Sequence, residues 1–198
     1  RTVTGVGFQP DWTWIKNRSG SDSHSIYDAV RGVNKVIRSN TYGAEGTQSD
    51  GLTAFGTDGF TIGAAGSVNT NSNNFVAWNW KANGTGSANT DGSINSTVSV
   101  NTTAGFSIVS YTGNATSGAT IGHGLGAVPK MIIVKNRDDG TGNQNWTVYH
   151  EAMTGNGAMF LDLTNTKDTN AKYFNDATPT ASVFTVGNNL GTNGSGDN

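Results

Sequence analysis

Gly5-Val6-Gly7-Phe8-Gln9-Pro10-Asp11-Trp12-Thr13-Trp14-Ile15-Lys16-Asn17-Arg18 is the stretch on which the fold turns, because the chain carries a version of it twice. Moved 119 residues downstream, it lies over Gly124-Leu125-Gly126-Ala127-Val128-Pro129-Lys130-Met131-Ile132-Ile133-Val134-Lys135-Asn136-Arg137. Both glycines, the proline and the Lys-Asn-Arg end are identical, and the apolar positions stay apolar. Two further matches follow in the same order: Ile26-Tyr27 with Val148-Tyr149, and Phe60-Thr61-Ile62-Gly63 with Phe184-Thr185-Val186-Gly187. The offset drifts from 119 to 122 to 124, as insertions in the loops of a repeated unit produce.

The stretch itself reads as a strand. Pro10 and Pro129 stand where a missing N–H is tolerated, at the start of an element. Trp12 to Lys16 and Met131 to Lys135 are rich in aromatic and β-branched residues. Further strands are expected at Lys35 to Arg38, Gly59 to Ile62, Phe75 to Trp80, Phe106 to Tyr111, Trp146 to Tyr149, Ala158 to Leu163 and Val183 to Val186. Asn-Gly, Asp-Gly and Asn/Ser clusters between them suit turns. Ser25 to Arg38 is the best helical candidate, weakened by Gly32 and its β-branched residues. The expected fold is all-β: two tandem β-sandwich modules, jelly-roll-like, arising from an internal duplication. The first spans 1–82 and the second 105–198. Between them, 83–104 is a polar linker or, where Ile94 to Val100 alternates, an edge strand.

The repeat also predicts what each copy lacks. The second opens with Gly105 to Gly113, whose counterpart would precede Arg1; the first ends with Phe75 to Trp80, whose counterpart would follow Asn198. The expectation is an excerpt of a longer array, or protomers that lend each other strands, since an unpaired edge invites pairing with another chain. Arg1-Thr2-Val3, without Met or an apolar run, does not read as a signal peptide.

Composition narrows the functional classes. Gly, Thr, Asn and Ser account for 96 of 198 residues, yet 9% aromatic content is too rich for a solvated linker. With no cysteine, a disulfide framework, a thiolate zinc site and a cysteine nucleophile are excluded. Lys+Arg 12 against Asp+Glu 14, without basic runs, does not read as a nucleic-acid binder. No apolar run reaches the roughly 18 residues of a membrane-spanning helix.

Several segments resemble a repeat module of tailed bacteriophages, especially marine ones. They are Gly7 to Asp11 with Trp14 to Arg18, Gly105 to Asn114, Gly122 to Lys135, and Phe75 to Trp78. The module occurs in phage structural and tail-fibre-like proteins. The resemblance implies a β-sandwich virion surface component, often in tandem copies, and carries over no catalytic residue. A tail fibre and a capsid decoration fit equally.

Candidate chemistry is sparse. Ser23-His24-Ser25 with Asp22 and Asp28 has the residue types of a hydrolase triad, but adjacent residues on one short segment cannot place base and nucleophile, and no Gly-x-Ser-x-Gly elbow is present. Glu45 and Glu151 are the only glutamates, so no acid pair for glycoside cleavage can be named. Asp138-Asp139-Gly140-Thr141-Gly142-Asn143 offers oxygen ligands for Ca²⁺ but reads better as a turn, lacking the spacing of an EF-hand loop. The repeated Lys16 to Arg18 and Lys135 to Arg137 read as solvated strand ends. No catalytic residue, metal site or cofactor is expected.

The tryptophans are the binding candidates. Trp12/Trp14 and Trp78/Trp80 fall at i, i+2, which puts each pair on one face of a strand. Trp12 and Trp14 align with Met131 and Ile133, so a core face is expected for them. Trp78 and Trp80 have no counterpart, and Trp146, beside Asn143-Gln144-Asn145, is expected to be exposed. The expected function is therefore a non-enzymatic structural component of a phage particle that acts by assembly, as a homo-oligomer or with other virion proteins through edge-strand pairing. The alternative is a carbohydrate-binding adhesin or receptor-binding module that holds a host surface glycan on Trp78, Trp80 or Trp146.

Overall fold

The computed structural model describes residues 1–138, 144–153 and 157–198. The chain is all-β. Its first half carries β1 (Thr2–Thr4), β2 (Trp12–Asn17), β3 (Ser25–Asp28), β4 (Lys35–Arg38), β5 (Gly46–Thr47), β6 (Leu52–Gly56), β7 (Gly59–Ile62), the four-residue α1 (Gly66–Asn69) and β8 (Phe75–Trp80). The second half carries β9 (Ser87–Asn89), β10 (Ser96–Asn101), β11 (Phe106–Tyr111), β12 (Ala119–Gly122), β13 (Met131–Val134), β14 (Thr147–His150), β15 (Met159–Phe160), β16 (Val183–Val186) and the four-residue α2 (Leu190–Asn193). Among the described residues no helix is long and apolar enough to cross a membrane.

Alternation in β2 decides the first half. Thr13, Ile15 and Asn17 are buried on one side, while Trp12, Trp14 and Lys16 point to the other. The five-stranded antiparallel sheet β5-β4-β3-β2-β8 presents Ile15, Tyr27, Val36 and Ala77 to a second sheet, β1-β7-β6. Leu52, Phe60 and Ile62 of that sheet complete the cluster. In the second half Val134 and Tyr149 meet Ile121, Phe184 and Val186 of the pair β12-β16 in a separate cluster.

The residues matched in the sequence make matched bonds. Asn69 Nδ2 donates to Gly63 O at 2.7 Å, and Asn193 Nδ2 to Gly187 O at 2.8 Å. Asn17 Oδ1 accepts from Ser19 N, and Asn136 Oδ1 from Asp138 N. Arg18 N donates to Asn74 O at 2.7 Å, and Arg137 N to Asn198 O at 2.6 Å. Gly63 and Gly187 are glycine for one reason: a Cβ would stand 2.5 Å from Asp50 O in the first case and 2.1 Å from Lys172 O in the second. The halves differ at one edge. β2 carries β8 on the side away from β3, whereas β13 carries no described strand on the side away from β14.

Ser25 to Arg38 is a β3–β4 hairpin rather than a helix. Gly32 and Asn34 take positive φ of 89° and 66°, which reverses the chain, and Asp28 Oδ1 caps the turn by accepting from Arg31 N. Within 83–104, β9 is the edge and β10 the middle strand of β11-β10-β9; β10 pairs with β11 over six residues, and Ile94 is buried. Trp12 and Trp14 turn away from the sheet-to-sheet cluster and pack, half-buried, against a second core cluster of Ile26, Ile37 and Trp146.

Candidate functional site

The face of β2 that carries Trp12 and Trp14 is the chemically distinctive surface of the molecule. β8 pairs with β2 in a register that sets Trp80 opposite Trp12 and Trp78 opposite Trp14. Because side chains alternate along each strand, all four indoles share one face. Ring centroids are 4.6 Å apart for Trp12–Trp80 and 5.8 Å for both Trp14–Trp78 and Trp12–Trp14, each pair edge-to-face. Phe106 of β11 stacks on Trp80 at 6.1 Å and covers that end. At the other end Trp14 Nε1 donates to His24 Nδ1 at 3.2 Å, which leaves the imidazole neutral with its proton on Nε2. Burial, then the charge of Lys16, hold the His24 pKa below its ordinary value. Trp78 is 45% exposed, the most open of the four.

Trp146 behaves otherwise. Expected at the surface, it is 5% exposed: its indole joins Ile26 and Ile37 next to Trp12 and Trp14, and Nε1 donates to Arg38 O at 2.9 Å and Thr41 O at 3.2 Å. With its N–H satisfied by the β4 end, Trp146 ties the two halves of the chain together and offers no face to a ligand.

Trp12, Trp14 and Trp80 of this face form one wall of a cleft of about 800 Å³. Residues of β11 and β13 form the opposite wall, with Met131 at 50% and Ile133 at 39% exposure on it. Asp28 and Arg31 also line the cleft and pair with each other, and Arg31 reaches Glu45 at 3.1 Å, which in turn meets Arg137 at 3.3 Å. This buried network carries no signature in the sequence, since its members lie up to 109 residues apart. Lys16 and Lys135 turn their amines back onto the carbonyls of Asn17 and Asn136, while Arg18 stays exposed. Among the described residues no group of three His, Asp or Glu converges as metal ligands. Asp139 to Asn143 of the candidate Ca²⁺ loop lie outside the described residues. Aromatic and apolar side chains line the cleft, and neither β11 nor β13 has a described strand on its cleft side.

The sequence profile of a family described as a domain of unknown function (DUF7483) matches residues 1–198. The chain belongs to this family. Comparison with curated proteins and with solved structures gave no match. The family assignment covers both the tryptophan face and the β11–β13 wall, so the whole cleft lies within one family domain.

Proposed function

We propose that this chain is a non-enzymatic structural component of a bacteriophage virion surface, a tail fibre or a capsid decoration, that works by joining modules through strand edges. The observation that carries the assembly part is the edge of β13, which has no described strand on it and exposes Met131 and Ile133, at the position where β2 carries β8. An apolar sheet edge of this kind is a template for another strand. The phage assignment rests on the sequence resemblance.

The architecture we propose is two copies of one β-sandwich module. The paired bonds of Asn69 and Asn193, and of Arg18 and Arg137, support the duplication. The cluster between β5-β4-β3-β2-β8 and β1-β7-β6 supports the sandwich. We assign 1–82 to the first copy and 83–198 to the second, because β9 and β10 pair with β11.

Mass spectrometry of purified particles of a phage that encodes the chain tests the function. Tryptic peptides recovered in fixed stoichiometry with the other particle proteins are expected; their presence in the lysate alone overturns it. A second reading, a glycan-binding adhesin, is favoured by one observation: the open indole of Trp78 beside Trp14, a platform on which a sugar ring stacks. A glycan array separates the two. Binding abolished by Trp78→Ala supports the adhesin; no binding to any glycan removes it. Trp146, being buried, is withdrawn from that site.

A further inference from the structure

The cleft is bordered by β11 and β13, neither of which has a described strand on that side, and one end of it is already threaded. Phe106 to Tyr111 and Met131 to Arg137 line it without interruption, so β11 and β13 both present their full length to it. β10 covers the other side of β11 and β14 the other side of β13. At the closed end, Gly196 to Asn198 run between the extensions of these two strands and bond to both. Gly113 N donates to Asp197 O at 2.8 Å, and Gly196 N to Gly113 O at 2.9 Å. On the opposite side Arg137 N donates to Asn198 O at 2.6 Å. The space between the two edges is therefore one strand wide where it starts.

Chemistry and register of the occupant can be read from the first half. Arg18 N meets Asn74 O as Arg137 N meets Asn198 O, and directly after Asn74 the chain becomes β8 on the edge of β2. There Trp80, Trp78 and Val76 stand opposite Trp12, Trp14 and Lys16. The same register at β13 sets an incoming strand's sixth, fourth and second residues opposite Met131, Ile133 and Lys135. Glu151 N donates to Lys130 O, so Lys130, Ile132 and Val134 direct their backbone groups at β14, and Met131 and Ile133 direct theirs into the slot. Met131 and Ile133 are also the residues whose side chains remain exposed in β13.

We propose that the β11–β13 slot is a strand acceptor. Its occupant is a six-residue extended segment of the Phe75–Trp80 type that enters at Asn198, pairs antiparallel with β13, and sets large apolar residues at its fourth and sixth positions over Ile133 and Met131. Such addition satisfies the edge amides and carries the tryptophan face of the first half on into the second. The proposal rests on the assembly reading above.

Hydrogen exchange tests it directly. The Phe75–Trp80 sequence is appended after Asn198, and amide exchange is compared with that of residues 1–198 and with a version bearing proline at the second and fourth added positions, which cannot donate to a ladder. Exchange at Met131 and Ile133 is expected to slow by about tenfold or more in the first chain only, with β2 and β8 unchanged and the protein monomeric by light scattering. If the extended chain does not fold, the same hexapeptide is added in excess to folded 1–198 and the same two amides are read. Unchanged exchange in these experiments overturns the proposal. So does protection in unextended 1–198 that vanishes on dilution, which assigns the slot to a second copy. Particles that lack the chain would overturn the virion reading and leave slowed exchange at Met131 and Ile133 standing, so the two failures are distinct.

Discussion

Replacing Arg31 by methionine tests whether the two halves of the chain are locked by a buried charge network. The Arg31 side chain is 5% exposed, as is that of Asp28, and its guanidinium makes four hydrogen bonds. Nε donates to Asp28 Oδ2, Nη1 to Lys35 O and Glu45 Oε2, and Nη2 to Ile26 O, the last three at 3.1 Å. Methionine keeps much of the reach and none of the donors. Glu45 retains Arg137, but Asp28 is left as a buried carboxylate with the Arg31 backbone N–H as its remaining bond from that residue. Removing one partner of a buried pair costs about 3–5 kcal/mol. The Lys35 carbonyl left without its donor adds roughly 1 kcal/mol when water cannot reach it, whereas Ile26 O keeps its place in the ladder opposite Ile37. Partial relaxation sets the expectation for Arg31→Met at about 4 kcal/mol of lost stability. Asp28→Asn keeps the shape and the cap on the turn, and the double variant is expected to lose about 2 kcal/mol less than the sum of the singles. Urea unfolding followed by tryptophan fluorescence is the assay, because an uncharged denaturant lets the ionic strength be set independently. Raising NaCl from about 0.05 to about 0.5 M is expected to move the wild-type midpoint little, since buried pairs are weakly screened. A loss below about 1 kcal/mol for Arg31→Met would place the network with surface ion pairs and refute the reasoning.

Other consequences are simpler to check. His123 is buried, accepts at Nδ1 from Leu125 N and meets Thr180 O through Nε2, and burial holds its pKa below 6.5 despite the charge of Asp91. The unfolded chain therefore binds the proton first: the His123 contribution to stability is constant above about pH 6.5 and falls as pH drops through that value. Replacing it by His123→Gln reduces that slope in urea titrations, and His24, shifted the same way, accounts for part of what remains. The Asn193 side chain, 1% exposed, makes three hydrogen bonds, to Gly187 O, Thr116 O and from Asn114 N, whereas one is seen for Asn69, to Gly63 O. At roughly 1 kcal/mol per bond, Asn193→Ala should lower stability about threefold more than Asn69→Ala in thermal unfolding. At Gly59, φ is +153° and an added Cβ would stand 2.0 Å from Val3 O, so Gly59→Ala detaches β1 from β7. Faster amide exchange confined to β1 and β7 is the expected signature.

What was legible in the sequence is local. Alternation of β-branched and aromatic residues marked β2, β7, β8, β11 and β16, because a strand's side-chain period is set by the backbone alone. The repeat pointed to positions that make equivalent bonds, down to Asn17 and Asn136, since the same short loop needs the same side-chain acceptor. The Trp12/Trp14 and Trp78/Trp80 pairs were correctly read as sharing a face. Which face was not legible. Trp12 and Trp14 turn away from the sheet-to-sheet cluster and pack half-buried against Ile26, Ile37 and Trp146, while their counterparts Met131 and Ile133 are exposed.

That choice belongs to the tertiary structure, because a strand buried on both sides gives an apolar residue two places to go. Ile15 and Tyr27 meet β1-β7-β6, while Ile26 and Ile37 meet Trp146 from the far end of the chain. The same long-range contact buried Trp146, whose polar neighbours in sequence predicted a surface. It also assembled Asp28, Arg31, Glu45 and Arg137, and brought the edges of β11 and β13 to one cleft. The sequence by itself determined strands, turns and their recurrence through interactions a few residues long. Pairing partners, buried faces and the open slot depend on which distant segments share a volume, and only the folded chain decides that.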